Sequence, residues 1–213
     1  MTAVVDNDVV FKATLYDLCE ELITDQYNGQ QVGILGAAKY VLSPKIAKLP
    51  QNASGAIATR FAKFLSKLET IEPSEEEIAV AGELEAVAQD ANLALDVGES
   101  QLCAVFLLRN LNLLITGDKR AITAMEALLP VCQLLAGLQG KVKCFEQCVL
   151  DALNKLGDYD QLRNAICAVP NVDKAMTICF SCLAATQNEE VTRAGLDSYI
   201  RNLRGFAGNI LCS

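Results

Sequence analysis

Short apolar runs alternate with segments of helical spacing along the first 130 residues. Val4-Val5 and Leu111–Thr116 are runs too short for helices, and Val32–Leu35 suits either a strand or the entry to a helix. Helical patterns are predicted at about 9–23, 37–41, 53–68, 74–92, 98–109 and 121–129, with a turn at Asn28-Gly29. Strands that alternate with helices predict an α/β fold, with a parallel, Rossmann-like sheet flanked by helices.

Beyond Pro130 the pattern predicts helices alone. They are expected at about 140–156, 158–168, 171–187 and 189–205. We therefore expect two domains, an α/β domain over residues 1–129 and an all-helical C-terminal module over residues 130–213.

Acidic residues stand where two of the apolar runs end and a helical pattern begins. Asp6 directly follows Val4-Val5, Asp118 closes the run that ends at Thr116, and Glu99 opens the helix before that run. Because parallel strands bring their carboxyl ends to one edge of a sheet, these acids are expected to converge. Converging carboxylates are the ligands that magnesium prefers.

Each of these acids also has a purely structural explanation. Asp8 and Asp118 suit the N-cap positions of the helices that follow them, and Glu99 complements a helix dipole. Capping explains an acid at a helix start, but it does not explain why two of them directly follow buried strands. Both explanations stay open on the sequence alone.

Composition narrows the possible chemistry. The chain has no histidine, which excludes a histidine base, a Ser-His-Asp triad and a histidine-ligated zinc. Its hydrophobic content of 52% supports a sizeable core. Charges interrupt the apolar stretches well before the roughly 20 residues that a membrane span needs, and two aspartates among the first ten residues do not resemble a secretory signal. We expect a cytoplasmic protein with no membrane association.

Negative charge is concentrated in the first part of the chain. Residues 1–129 hold 10 Lys+Arg against 18 Asp+Glu, whereas residues 130–213 hold 8 of each. This balance argues against tight non-specific binding of nucleic acid, since such binding depends on neutralising phosphates. It leaves room for a small basic groove. Separately, the last predicted helix carries a basic and aromatic stripe of Arg193, Tyr199, Arg201 and Arg204, near Asn202. The same stripe suits single-stranded RNA, a solvated helix face, or contact with a protein partner or a second protomer.

Nine cysteines without compact spacing are typical of reduced thiols rather than of a disulfide framework. Cys144 and Cys148 share one predicted helix face, and Cys179 and Cys182 share another. Four thiolates could bind zinc or an iron–sulfur cluster, but these lie within apolar helices, where cysteine usually acts as a small hydrophobic residue.

Several motifs together resemble the PIN-like nuclease superfamily over about residues 3–129. They are Asp6-Asn7-Asp8, Leu35–Tyr40, Leu95–Ser100 and Ile115–Arg120. The resemblance implies a PIN-type parallel sheet and an acidic pocket that holds Mg or Mn. It also implies metal-assisted hydrolysis of RNA phosphodiester bonds, with single-stranded RNA as the partner.

Position by position, the resemblance makes Asp6, Glu99 and Asp118 the catalytic acids, with Asp8 and Asp96 as further metal ligands. Lys119 and Arg120 directly follow Asp118 and suit the substrate phosphate. The family pattern has one more acid on an early helix. The stretch at Ala37-Ala38 has none, and residues 69–77 offer several candidates.

Two other functions fit parts of the sequence. Asp6-Asn7-Asp8 resembles the Asp-x-Asp motif of haloacid-dehalogenase-type phosphatases, in which the first aspartate is the nucleophile. That family needs a second acid shortly after Gly117-Asp118, and residues 119–123 hold none. A catalytically degenerate PIN-like fold that acts as a protein-interaction adaptor is the stronger alternative, because the fourth acid is not placed and the net charge is −8.

Overall fold

The computed structural model describes residues 1–24, 31–184 and 188–213, apart from the side chains of residues 51–53. The turn predicted at Asn28-Gly29 lies outside this part of the chain. Five strands form one parallel sheet in the order β3-β2-β1-β4-β5. They are β1 (Ala3–Val5), β2 (Val32–Leu35), β3 (Glu69–Ile71), β4 (Leu113–Thr116) and β5 (Val142–Cys144). The predicted parallel sheet flanked by helices is confirmed.

Helices cover both faces of this sheet. They are α1 (Asn7–Tyr16), α2 (Ala38–Ala47), α3 (Gln51–Leu65), α4 (Glu75–Asp90), α5 (Val97–Leu108), α6 (Lys119–Leu128), α7 (Phe145–Leu156), α8 (Tyr159–Cys167), α9 (Lys174–Cys179) and α10 (Glu189–Arg204). A π-helical turn at Glu20–Thr24 and a 3₁₀ segment at Gln133–Leu138 connect them. None of the helices in the described part of the chain is both long and apolar enough to cross a membrane.

The strands separate two apolar clusters, one on each face of the sheet. Val5 and Ile115 belong to one cluster, while their neighbours Val4 and Leu114 belong to the other. This alternation follows from the two-residue period of a strand. Because both faces are covered, the strands read as continuous apolar runs rather than alternating ones.

The prediction of helices alone beyond Pro130 is wrong in one element. Val142–Cys144 forms β5, which pairs in parallel with β4 from Leu114↔Val142 to Thr116↔Cys144. The helical pattern of α7 continues back over this strand, because β5 has only three residues and only Val142 among them is β-branched. The division into domains at residues 129 and 130 stays a prediction, although the sheet and both apolar clusters run across it.

The cysteine prediction is also wrong at one pair. Cys167 and Cys182 form a disulfide, because the turn after α9 brings their Cα atoms to 5.0 Å across 15 residues of sequence. Cys182 is therefore unavailable as one of four thiolate ligands. Cys144, Cys148 and Cys179 are buried in the apolar clusters, and burial raises the pKa of each thiol.

Candidate metal and phosphate site

The order of strands reverses between β1 and β4, which pair in parallel. In open α/β sheets, this switch point leaves a crevice at the carboxyl ends of the strands. Asp6 directly follows β1, and Asp118 follows β4 by two residues. The Thr116 hydroxyl joins them, since it donates to Asp6 Oδ2 at 3.3 Å and accepts the backbone N–H of Asp118 at 3.2 Å.

Asp6 occupies the N-cap position of α1, but its side chain makes no capping hydrogen bond. Burial and then the charge of Asp8 raise the pKa of Asp6 from 3.8 to about 6, with a smaller contribution from Asp96. Hydrogen bonds from the backbone of Asn7 and from Thr116 oppose this rise and do not cancel it. Asp6 is thus a carboxylate in an environment that disfavours its charge.

Asp96 and Glu99 form a reciprocal capping box at the start of α5. The N–H of Glu99 donates to Asp96 Oδ1 and the N–H of Asp96 to Glu99 Oε2, both at 2.9 Å. Burial nevertheless raises the pKa of Glu99 to about 7, together with the charges of Asp96, Asp118 and Asp6. Glu99 is therefore both a cap and an electrostatic neighbour of the two strand-end acids.

Asp118 caps α6. Its Oδ1 accepts the backbone N–H of Arg120 at 2.7 Å and that of Ala121 at 3.3 Å, and its Oδ2 pairs with the Arg120 guanidinium at 2.9 Å. Burial alone would raise the pKa of Asp118, but the hydrogen bonds from Arg120 and Ala121 outweigh it and hold the pKa below its ordinary value. The capping explanation of Asp118 is confirmed.

Asp8 is not the N-cap that the sequence suggested, because α1 begins at Asn7, two residues before the predicted start at Val9. Its carboxylate pairs with Lys12, whose Nζ lies 2.7 Å from Asp8 Oδ2 and 2.7 Å from Asp173 Oδ2. The side chains of Lys12 and Asp173 are each only 14% exposed. A Cβ on Gly117 would stand 2.6 Å from Asp8 Oδ2, so a larger residue there would displace this carboxylate.

The structure adds three charged residues, Lys12, Glu146 and Asp173, to the site that the sequence analysis predicted. Glu146 follows β5 and is 3% exposed, with an ion pair to Lys119. Asp173 caps α9 and binds Lys12, so α9 meets the site from the C-terminal part of the chain. Glu146 is an acid that follows a strand, as Asp6 and Asp118 are, but no apolar run precedes it, because Lys143 interrupts β5.

Several of these groups surround a polar cavity of about 360 Å³, but Asp6, Asp96 and Glu99 are not part of its lining. Its lining comprises Asp8, Lys12, Gly117, Asp118, Lys119, Arg120, Phe145, Glu146 and Asp173. The two predicted phosphate ligands thus lie in the cavity, although Lys119 pairs with Glu146 and Arg120 with Asp118. Arg120 remains 80% exposed.

In the part of the chain that the structure describes, no three acidic or cysteine side chains are arranged to hold a metal ion. Among the candidates for the fourth acid, Glu77 instead caps α4 with Ser74, as predicted, and binds the Arg109 guanidinium at 2.6 and 2.9 Å. Glu72 lies beside Gly36, at the carboxyl ends of β2 and β3. Neither glutamate is among the main causes of the raised pKa of Asp6 or of Glu99.

Comparisons of the chain with protein-family models, with curated proteins and with solved structures find no match.

Proposed function

We propose that this protein is a PIN-like, metal-dependent ribonuclease that hydrolyses phosphodiester bonds of single-stranded RNA in the cytoplasm. One observation carries the proposal. At the switch point of a parallel sheet, Asp6 is a strand-end carboxylate that caps no helix and whose pKa is raised by burial and by neighbouring acids. A bound cation would relieve that unfavourable charge.

The acids of this site offer carboxylate oxygens, which are the ligands that Mg and Mn favour. Asp6 and Glu99 have raised pKa values, and the capping box engages one oxygen of Asp96 and one of Glu99. We propose that the cation is bound by Asp6, Asp8, Asp96, Glu99 and Asp118, and we assign no coordination geometry. Such an ion would acidify an attacking water and offset charge on the phosphorane-like transition state.

The cations of the site have a separate task in this proposal. Arg120 is exposed beside Asp118 and could meet a substrate phosphate through its guanidinium. Lys119 is held by Glu146, so it offers a fixed positive charge at the same edge. Lys12 instead bridges Asp8 and Asp173, which positions α1 against α9.

A non-catalytic adaptor with the same fold is the second candidate. It is favoured by the internal pairing of the charges, since Asp8, Asp118 and Glu146 each bind a cationic side chain. The absence of a ready-made trio of ligands among the described residues favours it too. In this case the C-terminal helices would contact a protein partner or a second protomer.

Cleavage of a fluorescently labelled single-stranded RNA, with manganese or with EDTA, tests the proposal. Asp6→Asn should lower the manganese-dependent rate by at least roughly 10–100-fold. That is the usual cost of losing a residue that only supports a metal ligand, and Asp6 is proposed as a ligand itself. Asp158→Asn is the matched control, because Asp158 caps α8 away from the site and asparagine also caps well. Wild-type protein that cleaves no RNA with either magnesium or manganese would overturn the proposal and leave the adaptor.

A further inference from the structure

A second cavity, of about 380 Å³, adjoins the acidic site. It lies between the segment that follows α4, the first half of α6 and the C-terminal end of α10. We call it the α6–α10 groove; its lining comprises Asn92, Leu93, Ala94, Lys119, Arg120, Thr123, Ala124, Tyr199, Asn202, Leu203 and Phe206. Its volume lies within the range of about 300–1,000 Å³ that is usual for small-ligand sites.

Aromatic and amide groups line this groove. Phe206 is 64% exposed, although most large apolar side chains of the described residues are buried. Tyr199 also lines the groove and is partly buried, with Lys119 Nζ 4.7 Å from the centroid of its ring. Asn202 presents an exposed amide, which can both donate and accept hydrogen bonds. Flat rings beside an amide suit a planar heterocycle that stacks on its faces and bonds through its edge.

The charge of the groove differs from that of the chain. Among the described residues, its lining holds two cations, Lys119 and Arg120, and no carboxylate, whereas the chain has a net charge of −8. The same two cations also line the acidic cavity. A ligand in the groove therefore lies beside two cationic side chains, each of which also pairs with a carboxylate of the acidic site.

We propose that the α6–α10 groove binds one unpaired base of a single-stranded RNA, and that the phosphate next to this base lies at the Lys119–Arg120 edge of the acidic site. This inference rests on the proposed function. The proposal adds a base-binding subsite in which α10 takes part. Helix α10 lies outside residues 3–129, the stretch that resembles PIN-like nucleases. A duplex cannot use the subsite, because its bases are stacked and paired.

Binding of fluorescein-labelled eight-nucleotide RNA, followed by anisotropy in EDTA and low salt, tests the subsite without cleavage. Phe206→Ala should weaken binding by about 5-fold to 150-fold, the range expected when one stacked base is lost. Phe206→Trp should retain binding, because its ring still stacks. Tyr40→Ala is the matched control, since Tyr40 is an aromatic residue that is 79% exposed on α2 and lines a different cavity.

An RNA with one abasic position sharpens the test. Moving the abasic site along the oligonucleotide should reveal one position at which wild-type protein loses affinity, and Phe206→Ala should abolish that positional loss. Equal affinity of wild type and Phe206→Ala for every oligonucleotide would overturn the subsite.

The two proposals fail in different ways. If Asp6→Asn lowers manganese-dependent cleavage while Phe206→Ala binds RNA normally, the subsite is wrong and the nuclease stands. If Phe206→Ala weakens binding while wild-type protein cleaves no RNA, the groove stands as an RNA-binding site and the nuclease is wrong. Wild-type protein that does not bind RNA would overturn the subsite, and one that also does not cleave it would overturn both.

Discussion

The starts of α1 and α6 follow neighbouring strands of one sheet, and each has an aspartate at its N-cap position, yet the two carboxylates differ. Asp118 accepts two backbone N–H groups of α6 and pairs with Arg120, and its pKa is lowered. Asp6 accepts no capping bond, and burial with the charge of Asp8 raises its pKa to about 6. One acid stabilises its helix, whereas the other is destabilised by its surroundings.

This difference indicates which acid to suspect of function. A carboxylate with a complete set of partners is explained by the fold, even when it lies in a cavity. A buried carboxylate that lies near other acids and lacks a complete set of partners lowers the free energy of unfolding. Carboxylates that are destabilised in this way are typical of functional sites. Asp6 is therefore the more informative residue of the pair, and the following experiments test the contrast.

The largest expected effect is the response of wild-type stability to manganese. A cation that binds the folded state alone, at a concentration of about 100 times its Kd, should add about 3 kcal/mol to the free energy of unfolding. For a chain of this length, that corresponds to a rise in Tm of about 6–12 °C. Asp6→Asn should lose most of this rise in a thermal melt. An equal rise in both proteins would mean that manganese binds elsewhere.

Next in size is the effect of Asp6→Asn without metal. The pKa of Asp6 is raised on folding, so the folded state favours the protonated carboxyl. The free energy of unfolding is therefore highest below about pH 4 and falls as the pH rises through about 6. An asparagine at this position carries no charge, so the variant should be more stable than wild type at pH 8. The expected gain is about 1–2 kcal/mol after allowance for solvent screening, or about 2–8 °C in Tm.

The advantage of this variant should disappear near pH 4, where Asp6 is protonated in wild type too. Melting curves in EDTA between pH 4 and pH 8 would measure the trend. A variant that is less stable than wild type at pH 8 would show that Asp6 is an ordinary structural residue, and the contrast with Asp118 would be lost.

Asp118→Ala should have the smallest effect of the three and the opposite sign. Loss of the α6 cap should lower the free energy of unfolding by about 1 kcal/mol at pH 8. Arg120→Ala separates the cap from the ion pair, because it removes the guanidinium and keeps both backbone bonds. Since Arg120 is exposed, its removal should leave Tm unchanged within error. If Asp118→Ala and Arg120→Ala lowered the Tm equally, the stabilisation would come from the ion pair rather than from the cap.

Most of the framework could be predicted from local patterns. The runs at Val4-Val5, Val32–Leu35 and Leu113–Thr116 are buried strands, and the Ser74–Glu77 capping box is present as predicted. Strands β3 and β5 do not show in the apolar pattern because a charged residue, Glu69 or Lys143, interrupts each of them. The equally short β1 is wholly apolar and is predicted. The interruption of β5 in turn conceals Glu146.

The disulfide illustrates a second limit of local patterns. Cys167 and Cys182 lie 15 residues apart without a recognisable spacing, and their meeting depends on how α8 and the turn after α9 pack. The same packing brings Asp173 to Lys12, a contact between residues 161 positions apart in the chain.

The amino-acid sequence alone determined that β1 and β4 end in acids, because the alternation of apolar runs and helical periods is a local property of neighbouring residues. It also excluded histidine chemistry, since composition does not depend on folding. Only the tertiary structure decided which acid is satisfied and which is not. Asp118 is satisfied by its near neighbours in sequence, Arg120 and Ala121. Asp6 is instead buried by packing and feels the charge of Asp96, 90 positions away in the chain, and both effects depend on how the whole chain folds.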